Sequence, residues 1–175
     1  MSFAVLSLPR SRTAWLASFF NAAGLRCEHE LIARSDSFEH AIEKMSQGIG
    51  SVDTGQVFRI NDIKREVKDI NIIFIDRDKE EVKKSLINCG IENADWLIDK
   101  QAIQLDIEKE LYPSFSYAEI DARIEEIWSI VSGGRNFPKE QYEICKNYRI
   151  ELVDIAHFAH FNGVEKISKN YGICN

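Results

Sequence analysis

The stretch Phe3–Phe20, FAVLSLPRSRTAWLASFF, decides the reading of the fold. Phe3 to Leu8 is a short apolar run of the kind a buried strand shows. From Ser11 to Ala23 the pattern becomes helical, with Trp15, Leu16, Phe19 and Phe20 on one face and Gly24 as a stop. Between strand and helix stand Pro9, Arg10, Ser11, Arg12 and Thr13. The opening N–H groups of a helix have no partner within it, and the helix dipole favours negative charge there. A strand-loop-helix with two hydroxyls and two guanidinium groups at that point is therefore prepared for an anion. The competing reading is a solvated turn in which Ser11 merely caps the helix.

Further along, the same alternation repeats. A second strand is predicted over Leu25–Ile32, a helix over Asp36–Gln47 with Asp36 and Glu39 at capping-box spacing, and a short strand over Ile49–Asp53. NIIFID, Asn71–Asp76, is the clearest buried strand, and a helix over Asp78–Cys89 follows it. Ser116–Val131 is predicted as one long helix, Pro138–Lys146 as a short one and Arg149–Ile155 as a last strand. Strands alternating with helices imply a single three-layer α/β/α domain with a mainly parallel sheet. Ligands of such folds lie outside the carboxyl ends of the strands. That places Pro9–Thr13, Glu28–Glu30, Asp53–Gln56 and Asp76–Arg77 at the candidate site.

Composition narrows the function. The chain has 175 residues, 45% of them hydrophobic, and a formal net charge of -6. That charge argues against a nucleic-acid footprint, which needs a broad basic face, but not against a local basic pocket. No apolar run reaches the length of a membrane span. Pro9, Arg10 and Arg12 interrupt the N-terminal run, so it does not read as a signal peptide. Cys27, Cys89, Cys145 and Cys174 are scattered with no CxxC pair, which suits reduced thiols and a cytoplasmic location.

The phosphate loop of nucleotide triphosphatases, GxxxxGK followed by Ser or Thr, is absent. LPRSRTAWL instead resembles the phosphosulfate loop of the P-loop sulfotransferases, Lys/Pro-Arg/Lys-Ser-Gly-Thr-Thr/Ser-Trp/Leu after an apolar strand. In that family the loop wraps the 5′-phosphosulfate of 3′-phosphoadenosine 5′-phosphosulfate (PAPS), which leaves as PAP. The resemblance gives Arg10 the basic position beside the phosphosulfate, Ser11 and Thr13 the phosphate-binding hydroxyls, and Trp15 a place by the adenine. Arg12 replaces the usual glycine and Ala14 a usual hydroxyl. A second match follows NIIFID in RDKEEVKKSL, where Arg77 and Ser85 resemble the pair that holds the 3′-phosphate. About two helical turns separate them, which brings Ser85 back over the strand end. The resemblance covers the chain to about Leu86. Phe161–Asn170, FNGVEKISKN, echoes the family's third, glycine-and-basic segment only through Gly163, Lys166 and Lys169. The chain is shorter than typical small-molecule members, which implies a reduced acceptor lid.

Sulfuryl transfer needs a base for the acceptor hydroxyl or amine and cations for the leaving phosphate. CEHEL, Cys27–Leu31, offers Glu28, His29 and Glu30; VDTGQ, Val52–Gln56, offers Asp53. Glu30 is the first choice on the pattern of bacterial-type members, then His29, then Asp53, with Arg10 as the cation at the transferring group. Against this, Glu28 and Glu30 also suit a solvated edge and Asp53 an ordinary turn. His157 and His160 have the spacing of a helical metal pair but no third ligand, so no metal is expected. Trp96, Tyr112, Phe115 and Tyr117 suit an acceptor roof or core packing equally. Two other readings stay open: a small P-loop nucleotide or nucleoside kinase, and a nucleotide-binding protein without catalysis. The acceptor and the oligomeric state are not legible.

Overall fold

A computed structural model describes residues 1–147 and 164–172. Five strands form one sheet: β1 (Phe3–Ser7), β2 (Cys27–His29), β3 (Gly50–Asp53), β4 (Asn71–Asp76) and β5 (Ser114–Ser116). Their spatial order is β2-β3-β1-β4-β5, and every pairing is parallel. Helices among the described residues are α1 (Thr13–Ala22), α2 (Leu31–Arg34), α3 (Phe38–Ser46), α4 (Ile60–Glu66), α5 (Lys79–Ile87), α6 (Asp95–Glu108), α7 (Ile124–Ser132), α8 (Lys139–Cys145) and α9 (Val164–Tyr171).

The apolar runs of β1 and β4 are buried on both sides, as an all-parallel sheet requires. Alternate residues serve opposite faces. Phe3, Val5, Ile73 and Ile75 pack with Leu16 and Phe19 of α1 and with Ile127 and Trp128 of α7. Ala4, Leu6, Ile72 and Phe74 pack with α2, α3, α4, α5 and α6 through Ile32, Met45, Ile63, Val82 and Ile98. The result is the expected three-layer α/β/α arrangement. β1 is central, with Leu6 beside Asp53 of β3 and Ser7 beside Ile75 of β4. The loop that leaves β1 therefore emerges between the carboxyl ends of β3 and β4.

Several elements differ from the sequence expectation. The second strand is cut to Cys27–His29 because Glu30 turns into the left-handed region, φ 54°, and opens α2. Leu31 and Ile32 are buried as helix, not as strand. α3 begins at Phe38, capped by the Ser37 hydroxyl, which accepts from the His40 N–H at 3.2 Å; Asp36 is not the cap. The long helix predicted over Ser116–Val131 is three pieces. Phe115 and Ser116 pair with Ile75 and Asp76 as the edge strand, and the Ser116 hydroxyl caps a 3₁₀ turn at Tyr117–Glu119. The α-helix starts only at Ile124. The predicted strand Arg149–Ile155, His157, His160 and Gly163 lie outside the described residues.

Candidate functional site at the carboxyl edge of the sheet

The turn from β1 to α1 holds two non-glycine residues in the left-handed region, Arg10 at φ 64° and Arg12 at φ 61°. Arg12 stands where the resemblance puts glycine, and it adopts the backbone that glycine would supply at less conformational cost. It is also the N-cap of α1, with no side-chain hydrogen bond to the first turn, so the opening N–H groups are left for other acceptors. Ser11 and Thr13 are buried within the loop. The Arg12 side chain leaves the loop: its guanidinium lies 4.1 Å over the Trp15 ring and pairs with Asp121 at 2.7 Å. That guanidinium holds the Asp121 carboxyl below the usual carboxylate range.

Arg77 and Ser85 join this loop. Arg10 Nε donates to Ser85 Oγ at 3.2 Å, and an Arg77 terminal nitrogen donates to the Arg10 carbonyl oxygen. The Arg77 guanidinium stacks 4.2 Å over Tyr117, and the side chain is 14% exposed. Its Nε is buried without a hydrogen-bond partner, since Glu81 Oε2 stands off at 3.7 Å. A buried guanidinium N–H with no acceptor is costly unless a ligand completes it. The loop thus gathers two guanidinium groups, with the Arg77 Nε enclosed and facing the Glu81 carboxylate.

On the other side of the loop the acidic residues gather around a tyrosine. Thr13 Oγ1 lies 3.1 Å from His29 Nε2, and the same nitrogen lies 3.4 Å from Glu30 Oε1. Burial pushes His29 down to about 4, so its imidazole is neutral near pH 7. Glu30 accepts from the Thr54 hydroxyl at 3.1 Å and contacts the Tyr171 hydroxyl at 3.1 Å. Asp53 is fully buried; it accepts from the N–H groups of Ile32, Gly55 and Gln56, and from the Tyr171 hydroxyl at 2.7 Å. Burial, then the neighbouring Glu30, pushes Asp53 up to about 8, and burial raises Glu30 as well. Tyr171 enters from α9, and Asn170 beside it donates to the carbonyls of Ile32 and Ser35, both at 3.0 Å. Gly55 makes the entry possible: a Cβ there would fall 2.5 Å from the Tyr171 ring.

The structure therefore brings Arg10, Ser11, Thr13, Ser85, Arg77, His29, Glu30 and Asp53 to one edge of the sheet. It separates some expected roles. Trp15 is 6% exposed, stacks on Phe19 and donates its indole N–H to the Cys145 carbonyl at 2.8 Å, so no ring face is left for an adenine. Asp53 has no route to an acceptor, because burial and four donors enclose it; it anchors the edge instead. Glu28 pairs with Lys44 at 3.1 Å. Trp96 is exposed on α6, Tyr112 stacks on Phe74, and Phe115 is core. Tyr171 carried no local sequence signal, since its partners are 118 and 141 residues away.

A surface depression of about 330 Å³ lies between α7 and α8, lined by Asp121, Glu125, Glu126, Tyr142 and Glu143 among others. Arg123 and Lys139 also line it, so its wall mixes four carboxylates with two cations. Among the described residues no helix is long and apolar enough to cross a membrane, and no group of three His, Cys, Asp or Glu is arranged for a metal. Compared with models of known families, with curated proteins and with solved structures, the chain matches none.

Proposed function

We propose that this edge binds PAPS and transfers its sulfuryl group to a hydroxyl or amine acceptor. The observation that carries the reading is the meeting of Arg10, Ser85 and Arg77. Two segments that separately resemble sulfotransferase phosphate sites converge through Arg10–Ser85 at 3.2 Å and the bond from Arg77 to the Arg10 carbonyl. In this reading the loop N–H groups, Ser11, Thr13 and Arg10 hold the phosphosulfate, while Arg77 and Ser85 hold the 3′-phosphate. PAPS supplies an activated sulfur: the bond from sulfur to the phosphate oxygen breaks as the bond to the acceptor oxygen or nitrogen forms.

Arg10 stabilises the charge that develops on the leaving phosphate. His29 takes the acceptor proton. It is neutral at working pH, 28% exposed and beside Thr13 of the loop. Glu30 is less suited than the sequence suggested, with a side chain only 14% exposed and engaged by Thr54 and Tyr171. The free thiols Cys27, Cys89 and Cys145 are consistent with action in the cytoplasm.

The test is single-turnover transfer from labelled PAPS to a panel of phenols, alcohols and amines. His29→Ala is expected to slow transfer by about 10²–10⁴ while PAP affinity stays near wild type, because a base touches the acceptor and not the nucleotide. PAP binding without transfer to any acceptor would favour a nucleotide-binding protein without catalysis, a reading supported by the enclosure of Asp53 and Glu30 around Tyr171.

A further inference from the structure

The acidic cluster beside the loop poses an electrostatic problem for an anion site. Glu30 and Asp53, if both ionised, would place two buried negative charges next to the groups meant to hold phosphate. Hydrogen-bond counting resolves it. The Tyr171 hydroxyl lies 2.7 Å from Asp53 Oδ1 and 3.1 Å from Glu30 Oε2, yet a phenol has one proton. Asp53 is the better hydrogen-bonded partner, with three backbone N–H donors, and takes the shorter contact. The phenol oxygen and the Glu30 oxygen then face each other, and a proton on Glu30 turns that contact into a hydrogen bond. We propose that Tyr171 is a positioning residue that holds one shared proton between Glu30 and Asp53, so that the loop proposed to hold phosphate faces a single buried negative charge.

The consequence runs outward through named atoms. Protonated on Oε2, Glu30 keeps Oε1 as an acceptor for the Thr54 hydroxyl, at 3.1 Å, and turns no second negative charge toward His29. The titratable groups facing the pair are His29 at the end of β2 and Tyr171 from α9, with Arg34 of α2 acting on His29. Burial raises both carboxyls, and the charge of Glu30 raises Asp53 further, in keeping with a retained proton. For its catalytic meaning the proposal rests on the function given above; for the proton count it does not.

The experiment is infrared titration of the full chain without nucleotide, following the carbonyl stretch of protonated carboxyl groups. Wild type is expected to show one buried protonated carboxyl at neutral pH that disappears on raising the pH, and Glu30→Gln to remove it. Tyr171→Phe keeps the ring over Gly55 but loses the donor to the carboxylate. Its carboxyl titration should move upward by about one to two pH units, the worth of a hydrogen bond to a charged group. A Tyr171→Phe protein that titrates like wild type, or a wild type with no protonated carboxyl at neutral pH, overturns the proposal. If Tyr171→Phe does not fold, the slowly exchanging Tyr171 hydroxyl proton of wild type decides. Its NMR shift should follow the carboxyl titration, and a shift that ignores it overturns the proposal. A chain with the shared proton that binds no PAP loses the proposed function and keeps this inference; a chain that binds PAP without the shared proton does the reverse.

Discussion

Arg77→Ala is the substitution that probes the joint between the Arg10 loop and the segment that carries Arg77 and Ser85. In the unliganded protein the Arg77 guanidinium donates to the Arg10 carbonyl and stacks 4.2 Å over Tyr117, with the side chain 14% exposed. A hydrogen bond from a charged donor is worth about 1.5–3 kcal/mol. A desolvated cation–π contact adds about 0.5–2 kcal/mol. One side chain makes both, so the parts are not independent, and a loss of about 2–4 kcal/mol is expected. For a chain of this size each kcal/mol moves the midpoint by about 2–4 °C, so Tm should fall by roughly 5–15 °C. Arg10→Ala removes only the bond to Ser85 and should cost about 1 kcal/mol. Scanning calorimetry of the two unliganded variants beside wild type measures the contrast. An Arg77→Ala protein melting within about 2 °C of wild type would refute the claim that Arg77 pins the loop through the Arg10 carbonyl.

Two further outcomes follow from the acidic end. Gly55→Ala would set a Cβ 2.5 Å from the Tyr171 ring, so it should destabilise by about 1–3 kcal/mol in urea unfolding and expel Tyr171 from between the carboxyls; adding Tyr171→Phe to it should then cost little more. Stability should also depend on pH with a definite sign. The folded-state pKa of Asp53 is raised from 3.8 to about 8, so the Glu30–Asp53 pair keeps one proton in the folded chain that the unfolded chain releases, and this stabilisation is lost as pH rises toward about 8. His29, lowered from 6.5 to about 4, works the other way, but only below about pH 6.5. Between pH 6.5 and 8 unfolding free energy should therefore fall as pH rises, by at most about 1.4 kcal/mol per pH unit for the one proton, and Asp53→Asn should flatten that slope.

The parts of this fold that were legible in the chain are those whose signal is local. NIIFID reads as a strand because a strand buried on both faces needs an unbroken apolar run, and β4 spans those residues. The loop Pro9–Thr13 is visible because charge and hydroxyls interrupt two apolar segments. The topology rule then places Asp53, Arg77 and Glu30 at the same edge. What stayed hidden depends on distant partners. LRCEHELI alternates well enough for a long strand, but Glu30 turns left-handed and Leu31 and Ile32 pack as helix into the core on the α2–α6 side of the sheet. The edge strand Ser114–Ser116 is too short to leave a period, and the Ser116 cap that marks a 3₁₀ turn looks the same in sequence as one that opens an α-helix. Trp15 fitted the motif by position, but a helix face shared with Phe19 draws it into the core. Tyr171 has no motif, and its role appears only when α9 lies against α2 and Gly55.

The most direct test of the central claim compares PAP with AMP by calorimetric titration and by thermal unfolding. The two nucleotides share the adenosine and a 5′-phosphate, and only PAP carries the 3′-phosphate assigned to Arg77 and Ser85. PAP at about 100 times its dissociation constant should stabilise the fold by about 2.7 kcal/mol, with AMP at the same concentration giving a clearly smaller shift. Arg77→Ala should erase the difference. Equal affinity of the wild-type chain for PAP and AMP would contradict the account.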